Sequence, residues 1–292
     1  MTSRRYVQLD VFADRPGAGN PLAVVLDADG LDDAAMQAIA RWTRLPETTF
    51  VFPATRPEAS YAIRIFSPRR EVPFAGHPSV GTAHVVLEAG LASPRDGLLV
   101  QEGIAGLLPL QVEGDGATRT IAVRTPRANV VEVGDPAADT SLRDALNGLP
   151  PGDLPPALVD GGRRWWLAEV SDEATLRAAT PDWIAIAALA KNTDSMGVCA
   201  YARAEDPSYD LAVRAFVGAP AAFEDAASGA ANATLAAWLK SRDALPGGRD
   251  RYTVSQGREV GHDARLQLRV DAEGNVWSGG HVRTVVTGHI DW

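Results

Sequence analysis

The stretch FAGHPSVGTAHVVLEAG, Phe74 to Gly90, is echoed by FEDAASGAANATLAAWLK, Phe223 to Lys240, which begins 149 positions later. In nearly the same register Arg64-Ile65-Phe66 overlies Arg214-Ala215-Phe216, and Ala75 falls on Asp225. A chain duplicated in this way is constrained to two similar units, each reading as strand, short loop and a Gly-containing turn that opens a helix. Two such units facing each other would aim two helix N-termini at one cleft. Their unpaired N–H groups and positive dipole ends suit a small carboxylate. At 292 residues, 46% hydrophobic and 22% charged, the chain is long enough for two domains with cores of their own. The boundary is expected near residue 128. The N-terminal half, 1–128, carries Glu47 and Gly-His-Pro and is rejoined by the last strand near 281–292; the C-terminal half, 129–280, carries the Asp225 turn and helix.

Residues 6 to 27 predict a hairpin, YVQLDVF and LAVVLDA, divided by the turn DRPGAGNP. LDDAAMQAIARWTR predicts a helix with Leu31, Ala35, Ile39 and Trp42 on one face. ETTFVFPA and YAIRIFSP then read as strands, and Pro78 lies near N1 of the next helix, where a missing N–H costs nothing. The second half repeats this order: TLRAATPDWIAIAALA as helix, NTDSMGVCAYARA and YDLAVRAFVG as strands, then ASGAANATLAAWLK as helix. Asp194 roughly echoes Glu47. The Pro- and Gly-rich stretch GDPAADTSLRDALNGLPPGDLPPALVDGG reads as a surface connection.

The formal charge of -9 and the lack of any basic run speak against a nucleic-acid partner. No apolar stretch approaches the roughly 18 to 20 residues a membrane span needs, and MTSRRYVQLDVF runs directly into a strand pattern. The expectation is a soluble cytoplasmic protein with no membrane partner. The only cysteine, Cys199, sits in the buried-strand pattern MGVCAY and reads as a packed thiol. Histidines 77, 84, 262, 281 and 289 lack metal-ligand spacing with nearby acids, so no metal is expected. Phosphate-loop and dinucleotide motifs are absent. Lys191 and Lys240, the only lysines, each close a helix, where a cation suits the dipole rather than a Schiff base. No cofactor is expected. Ser79 and Ser228 lack the Gly-x-Ser-x-Gly elbow of serine hydrolases.

Polar residues at turn-to-helix and strand-edge junctions are the remaining candidates. Glu47, in LPETTFVF, stands between an amphipathic helix and an apolar strand, where burial would tune a carboxylate for proton transfer; a strand-start acid facing water gives the same pattern. His77 precedes a helix-opening proline, where imidazole tends to stay neutral, although a capping or packed histidine fits equally. Asp225 precedes the second helix, and an ordinary N-cap is the alternative.

DVFADRPGAGNPLAVVLDADGL, ARWTRLPETTFVF, FAGHPSVGTAHVVLEAG, RAFVGAPAAFEDAASGAANATLAAWL and SQGREVG together resemble, in order and over nearly the whole chain, the phenazine-biosynthesis (PhzF-like) isomerase family. The resemblance implies the α+β fold of diaminopimelate epimerase: two pseudo-symmetric domains, each a barrel-like, mostly antiparallel sheet around a central helix. It also implies a homodimer and a cofactor-independent reaction on a small-molecule substrate. Glu47 matches the proton-shuttling glutamate, His77 the histidine of Gly-His-Pro, and Asp225 the aspartate opening the second turn. Gly76, Pro78, Ser79, Ser228, Gly229 and Ala230 are then expected to contact substrate, the amides of Gly76 to Ser79 and of Gly229 to Ala230 binding negative charge. The two catalytic cysteines of the related epimerases would fall at Ala75 and Asp225, which excludes two-cysteine racemisation. Two hydroxyls usual in the family are missing at Pro46 and Ala230, so the substrate is expected to differ from the phenazine precursor. The resulting expectation is an isomerase that shifts a proton and double bond in a small unsaturated, cyclic or amino-acid-derived acid of biosynthesis by acid/base catalysis. An epimerase or racemase of the same fold, and a catalytically silent ligand-binding protein, are the alternatives.

Overall fold

In the computed structural model, which describes residues 2–292, the chain divides into two compact units. One comprises residues 2–124 with Gly279–Trp292, and the other Thr125–Ser278. The first opens with strands β1 (Ser3–Val11) and β2 (Asn20–Val25), helix α1 (Asp33–Thr43), and strands β3 (Glu47–Phe52), β4 (Tyr61–Phe66) and β5 (Glu71–Val72). Helix α2 (Gly76–Glu88) and strands β6 (Leu98–Gly103), β7 (Gly106–Glu113) and β8 (Thr120–Arg124) follow. The second unit begins with β9 (Asn129–Val133), α3 (Thr140–Ala145), β10 (Ala157–Asp160), β11 (Arg164–Glu169), α4 (Glu173–Ala178) and α5 (Trp183–Asn192). It continues with β12 (Gly197–Arg203), β13 (Leu211–Val217), β14 (Phe223–Asp225), α6 (Gly229–Ser241), β15 (Arg251–Gln256) and β16 (Ala264–Val270). Strand β17 (Val276–Gly280) carries the chain back to the first unit, where β18 (Val282–Asp291) pairs with β1 from Ser3↔Asp291 to Val11↔Val282.

One strand order is used twice. In the first unit β18, β1, β2, β3, β4, β6, β7 and β8 pair in that sequence, antiparallel except at β2–β3 and β4–β6, with β5 a short arm on β4. In the second, β9, β10, β11, β12, β13, β15 and β16 pair in that sequence, antiparallel except at β11–β12 and β13–β15, with β14 the arm on β13. The register fixes equivalent positions. Thr48 faces Phe66 and Val198 faces Phe216, so Glu47 corresponds to Gly197. Asp194 is not its counterpart; it lies in an exposed turn before β12.

Phe66 pairs with Glu71 but Phe216 with Glu224, so the second hairpin is three residues longer. The added residues shift every later equivalence. Ala75 is the N-cap of α2 and Ser228 that of α6, so Ala75 corresponds to Ser228 and not, as the sequence register suggests, to Asp225.

The sheet of the first unit wraps α2, which touches β1, β2, β3, β6, β8 and β18. A helix enclosed in this way must be apolar or small all round, and Gly76 to Ala83 are all buried. Gly81 is required by space: a Cβ there would lie 2.6 Å from Leu22 Cδ2 and 2.8 Å from Leu9 Cδ1. In the second unit α6 takes the same place, against β10, β11, β12 and β16. Helices α1 and α5 lie outside their sheets, α1 against β3 and β4, α5 against β12 and β13.

Four local expectations are corrected. Helix α1 buries Met36, Ile39 and Ala40 against Phe50 and Phe66, whereas Trp42 is 66% exposed, its ring tilted against that of Trp292. TLRAATPDWIAIAALA is two helices, because Pro181 keeps the preceding residue out of the helical region and Asp182 caps α5 by accepting from Ile184 and Ala185 amides. The Pro- and Gly-rich stretch after β9 is no surface connection: Leu142 and Ala145 of α3 join the core with Trp166, Ile186 and Leu189, and β10 is buried. Its short elements carry too few residues to show a period. Pro78 occupies N3 of α2 rather than N1, still within the turn whose N–H groups have no helical partner. Among the described residues no helix is long and apolar enough to cross a membrane.

Candidate active site

Strands β2 and β3 are parallel and start at one end of the first sheet, where β4 finishes and α2 begins. This places Glu47, the first residue of β3, beside His77 at N2 of α2. His77 Nε2 lies 3.3 Å from Glu47 Oε2, with side chains 9% and 18% exposed. The contact has hydrogen-bond length without hydrogen-bond alignment, leaving Nε2 unpartnered. Burial pushes the His77 imidazole down to about 3, so at neutral pH the contact is between a carboxylate-bearing side chain and a neutral ring, not an ion pair. The half-buried Glu47 is therefore not a solvated strand-start acid.

Ala75 caps α2 without a side-chain hydrogen bond. The amides of Gly76 and His77 are left open, Pro78 has no N–H, and the Ser79 amide donates to Ala75 O at 3.2 Å. Ser79 is fully buried, its hydroxyl donating to Ala75 O at 3.0 Å and accepting from Gln101 Nε2 at 3.1 Å. Of the amides from Gly76 to Ser79, expected to meet negative charge, those of Gly76 and His77 are open to an anion while that of Ser79 is used inside the helix. Ser79 instead holds the helix start in place.

The second unit builds a different end on the same plan. Asp225 closes β14 and accepts from the Ala227 amide at 3.2 Å, while Ser228 performs the capping, its Oγ accepting from the Ala231 amide at 3.4 Å. Asp225 is therefore not the N-cap. Desolvation by burial holds its carboxyl above the usual range, against the opposing pull of the Ala227 amide, the Ser228 hydroxyl and the charges of Arg163 and His262. Gly229 and Ala230 amides lie at N1 and N2 of α6 and are open. Gln256 ties the turn together: Nε2 donates to Asp225 O at 2.8 Å, and Oε1 accepts from Ser228 N at 3.2 Å and Asn232 Nδ2 at 2.8 Å. Gly257, at φ +94°, packs so closely on the carbonyl of Ala226 that a Cβ would overlap it.

Gln101, Gln256, Gly257, His262 and Arg163 were not singled out by sequence reasoning. Gln256-Gly257 stood inside SQGREVG, where a glycine before a charged turn was the available signal; Arg163, in GGRRWW, looks like any strand-start arginine. Cys199 is buried in β12 and its thiol is pushed up to about 12, which makes it inert. Among the described residues no group of three or more His, Cys, Asp or Glu is arranged to hold a metal ion.

A raised carboxyl pKa works against the fold. The favourable contribution of protonated Asp225 is complete below the unfolded carboxyl pKa and is lost as pH rises through the higher folded value. Asp225→Asn keeps the turn and does not titrate, so at pH 7 it should be more stable than the parent. Thermal midpoints measured from pH 3 to 8 should show the gap opening above the ordinary carboxyl range. A variant less stable than the parent at pH 7 would mean that Asp225 serves the fold.

A family model described as phenazine biosynthesis-like protein matches residues 9–289. The chain is 32% identical over 297 residues to antisense-enhancing sequence 1 of Schizosaccharomyces pombe, covering 99% of both chains. It is likewise 32% identical over 283 residues to trans-2,3-dihydro-3-hydroxyanthranilate isomerase of Pseudomonas aeruginosa, covering 92% of this chain and 91% of that one. Among solved structures, a phenazine biosynthesis protein of the PhzF family from Bacillus anthracis superposes with a TM-score of 0.81 at 24% identity, covering 100% of both chains.

Proposed function

The chain belongs to the phenazine biosynthesis-like protein family, relatives of which are named isomerases, and from that premise we propose that Glu47 is the single acid/base of a cofactor-independent proton shift. In this reading its carboxylate takes a proton from one carbon of a small unsaturated acid and returns it to another, while the electron pair released at the first carbon moves the double bond. The neutral His77 donates or accepts one hydrogen bond without changing the charge of the site. In the second unit, Asp225 is placed to accept from an amino or hydroxyl group of a substrate. The open amides of Gly76 and His77 stabilise negative charge that grows as the proton leaves, and those of Gly229 and Ala230 offer the same donors in the second unit.

The observation that carries the proposal is the asymmetry of the duplication. Glu47 has a counterpart in Gly197, where a Cβ would overlap the Phe216 carbonyl and lie 2.9 Å from Gly218 N. Proton transfer from two faces would need a second base matched to Glu47 or to a helix cap, or else Asp225, which is used here as a hydrogen-bond acceptor. Ala75 offers no base, and Ser228 is occupied as a cap. This favours a shift by one base over epimerisation. Pro46 and Ala230 offer no side-chain hydrogen bond to a ligand, which supports a substrate other than the phenazine precursor.

The test is incubation in D2O with trans-2,3-dihydro-3-hydroxyanthranilate and a panel of cyclic unsaturated acids, followed by proton NMR and ultraviolet absorbance. Isomerisation moves the double bond, changing the absorbance, and relocates the proton or replaces it with deuterium. Deuterium exchange at one carbon with unchanged absorbance would make it an epimerase. Binding with neither change would make it a silent binding protein.

A further inference from the structure

Arg163 stands immediately before β11, in the turn Asp160-Gly161-Gly162-Arg163. Strands β11 and β12 are parallel and start at the end of the second sheet where β13 finishes, so Arg163, Met196-Gly197 and the Asp225 turn share that end. The same turn reaches α6: a Cβ on Gly161 would lie 2.9 Å from Thr234 Cγ2. The chain carries 37 acidic against 28 basic side chains, and the neighbouring Arg164 pairs with Asp160 at 3.2 Å. Arg163 pairs with none among the described residues. Its guanidinium, partly buried, meets the sulfur of Met196 at 3.7 Å. It is nevertheless near enough to Asp225 for its charge to act on that carboxyl.

A partly buried guanidinium at the same sheet end as a carboxylate, engaged only by a thioether sulfur, has unused donors in a planar fork that matches a carboxylate. We propose that Arg163 is a specificity-determining residue that receives a carboxylate of the substrate, with Asp225 accepting from an amino or hydroxyl group on the adjacent carbon. The substrate class is then a carboxylic acid bearing a vicinal N–H or O–H donor. This deepens the functional reading above and rests on its placement of substrate at the Asp225 turn. It also supplies a polar anchor where Ala230 offers no hydroxyl. Met196, an unbranched thioether, keeps the arginine in place without neutralising it.

The experiment is calorimetric titration of the full chain with anthranilate and with anthranilamide, which share ring and amino group and differ only in the carboxylate. The parent should bind anthranilate more tightly by roughly 10- to 100-fold, the value of a charge-assisted pair. Arg163→Gln should erase that preference by weakening anthranilate alone, and Arg163→Lys should retain part of it. Thermal midpoints of both variants should match the parent, since the turn adjoins exposed Gly162. Unchanged preference in Arg163→Gln overturns the proposal, as does a parent that binds neither compound or both equally. Repeating the titration in a Glu47→Gln background separates the two readings. Preference for anthranilate without proton exchange in the parent would leave Arg163 standing and remove the isomerase assignment; exchange without the preference would do the reverse.

Discussion

Glu47→Gln is expected to lower turnover by about 100-fold or more while ligand affinity stays within a few-fold of the parent. The amide has the shape of the carboxylate and fits the same space at the start of β3, 3.3 Å from His77. It cannot accept a proton from carbon. His77 does not substitute, because burial holds its ring neutral down to about pH 3 and leaves it a very weak base. The duplicated half does not substitute either, since the corresponding position is Gly197. Stopped-flow absorbance with the substrate found in the D2O screen gives kcat and KM, and the fold is checked by circular dichroism. A variant with near-parental kcat would remove Glu47 from the chemistry. Loss of binding as large as the loss of turnover would make Glu47 a binding group.

The two-fold plan was legible because it is written in strongly patterned stretches. RIF and RAF at the ends of β4 and β13, and the glycine-opened helices that follow, survive as sequence because a helix enclosed by its own sheet tolerates only small and apolar residues. Register was less legible. The three residues added between Phe216 and Glu224 lie in a Pro- and Ala-rich turn without periodicity, so Asp225 aligned with Ala75 on the page and with Val72 in the sheet. The proximity of Glu47 and His77 is set by a parallel β2–β3 pairing and the return of β4, both long-range, and local pattern cannot report either. Short elements suffered most. Helix α3 and strand β10 bury Leu142, Leu158 and Val159, but each spans too few residues to distinguish a core segment from a loop. Arg163 was invisible for another reason: it shares a sheet end with Met196 and the Asp225 turn through long-range pairing, which composition does not show.

Gly197→Ala is expected to destabilise the protein by about 3 kcal/mol or more, although it adds one methyl group. Gly197 has φ +144°, a region that side chains rarely adopt, so alanine is strained there even in open space. The space is not open. The added Cβ would overlap the carbonyl oxygen of Phe216, and that backbone is fixed because Gly197 pairs with Val217 and Val198 with Phe216 inside a strand pair buried over all but its last residue, Arg203. Relief would require β12 to slide or twist away from β13, breaking ladder bonds on both. For a unit of this size the thermal midpoint should fall by roughly 6 to 12 °C. Asp194→Asn, in the exposed turn three residues earlier, should leave the midpoint nearly unchanged, since asparagine suits the φ of +49° there and the side chain is 96% exposed. A Gly197→Ala protein melting within a degree or two of the parent would show that the strand start adjusts freely and that a side chain is admissible there. The second half would then have room for a counterpart to Glu47, and the argument for proton transfer by one base would lose its footing.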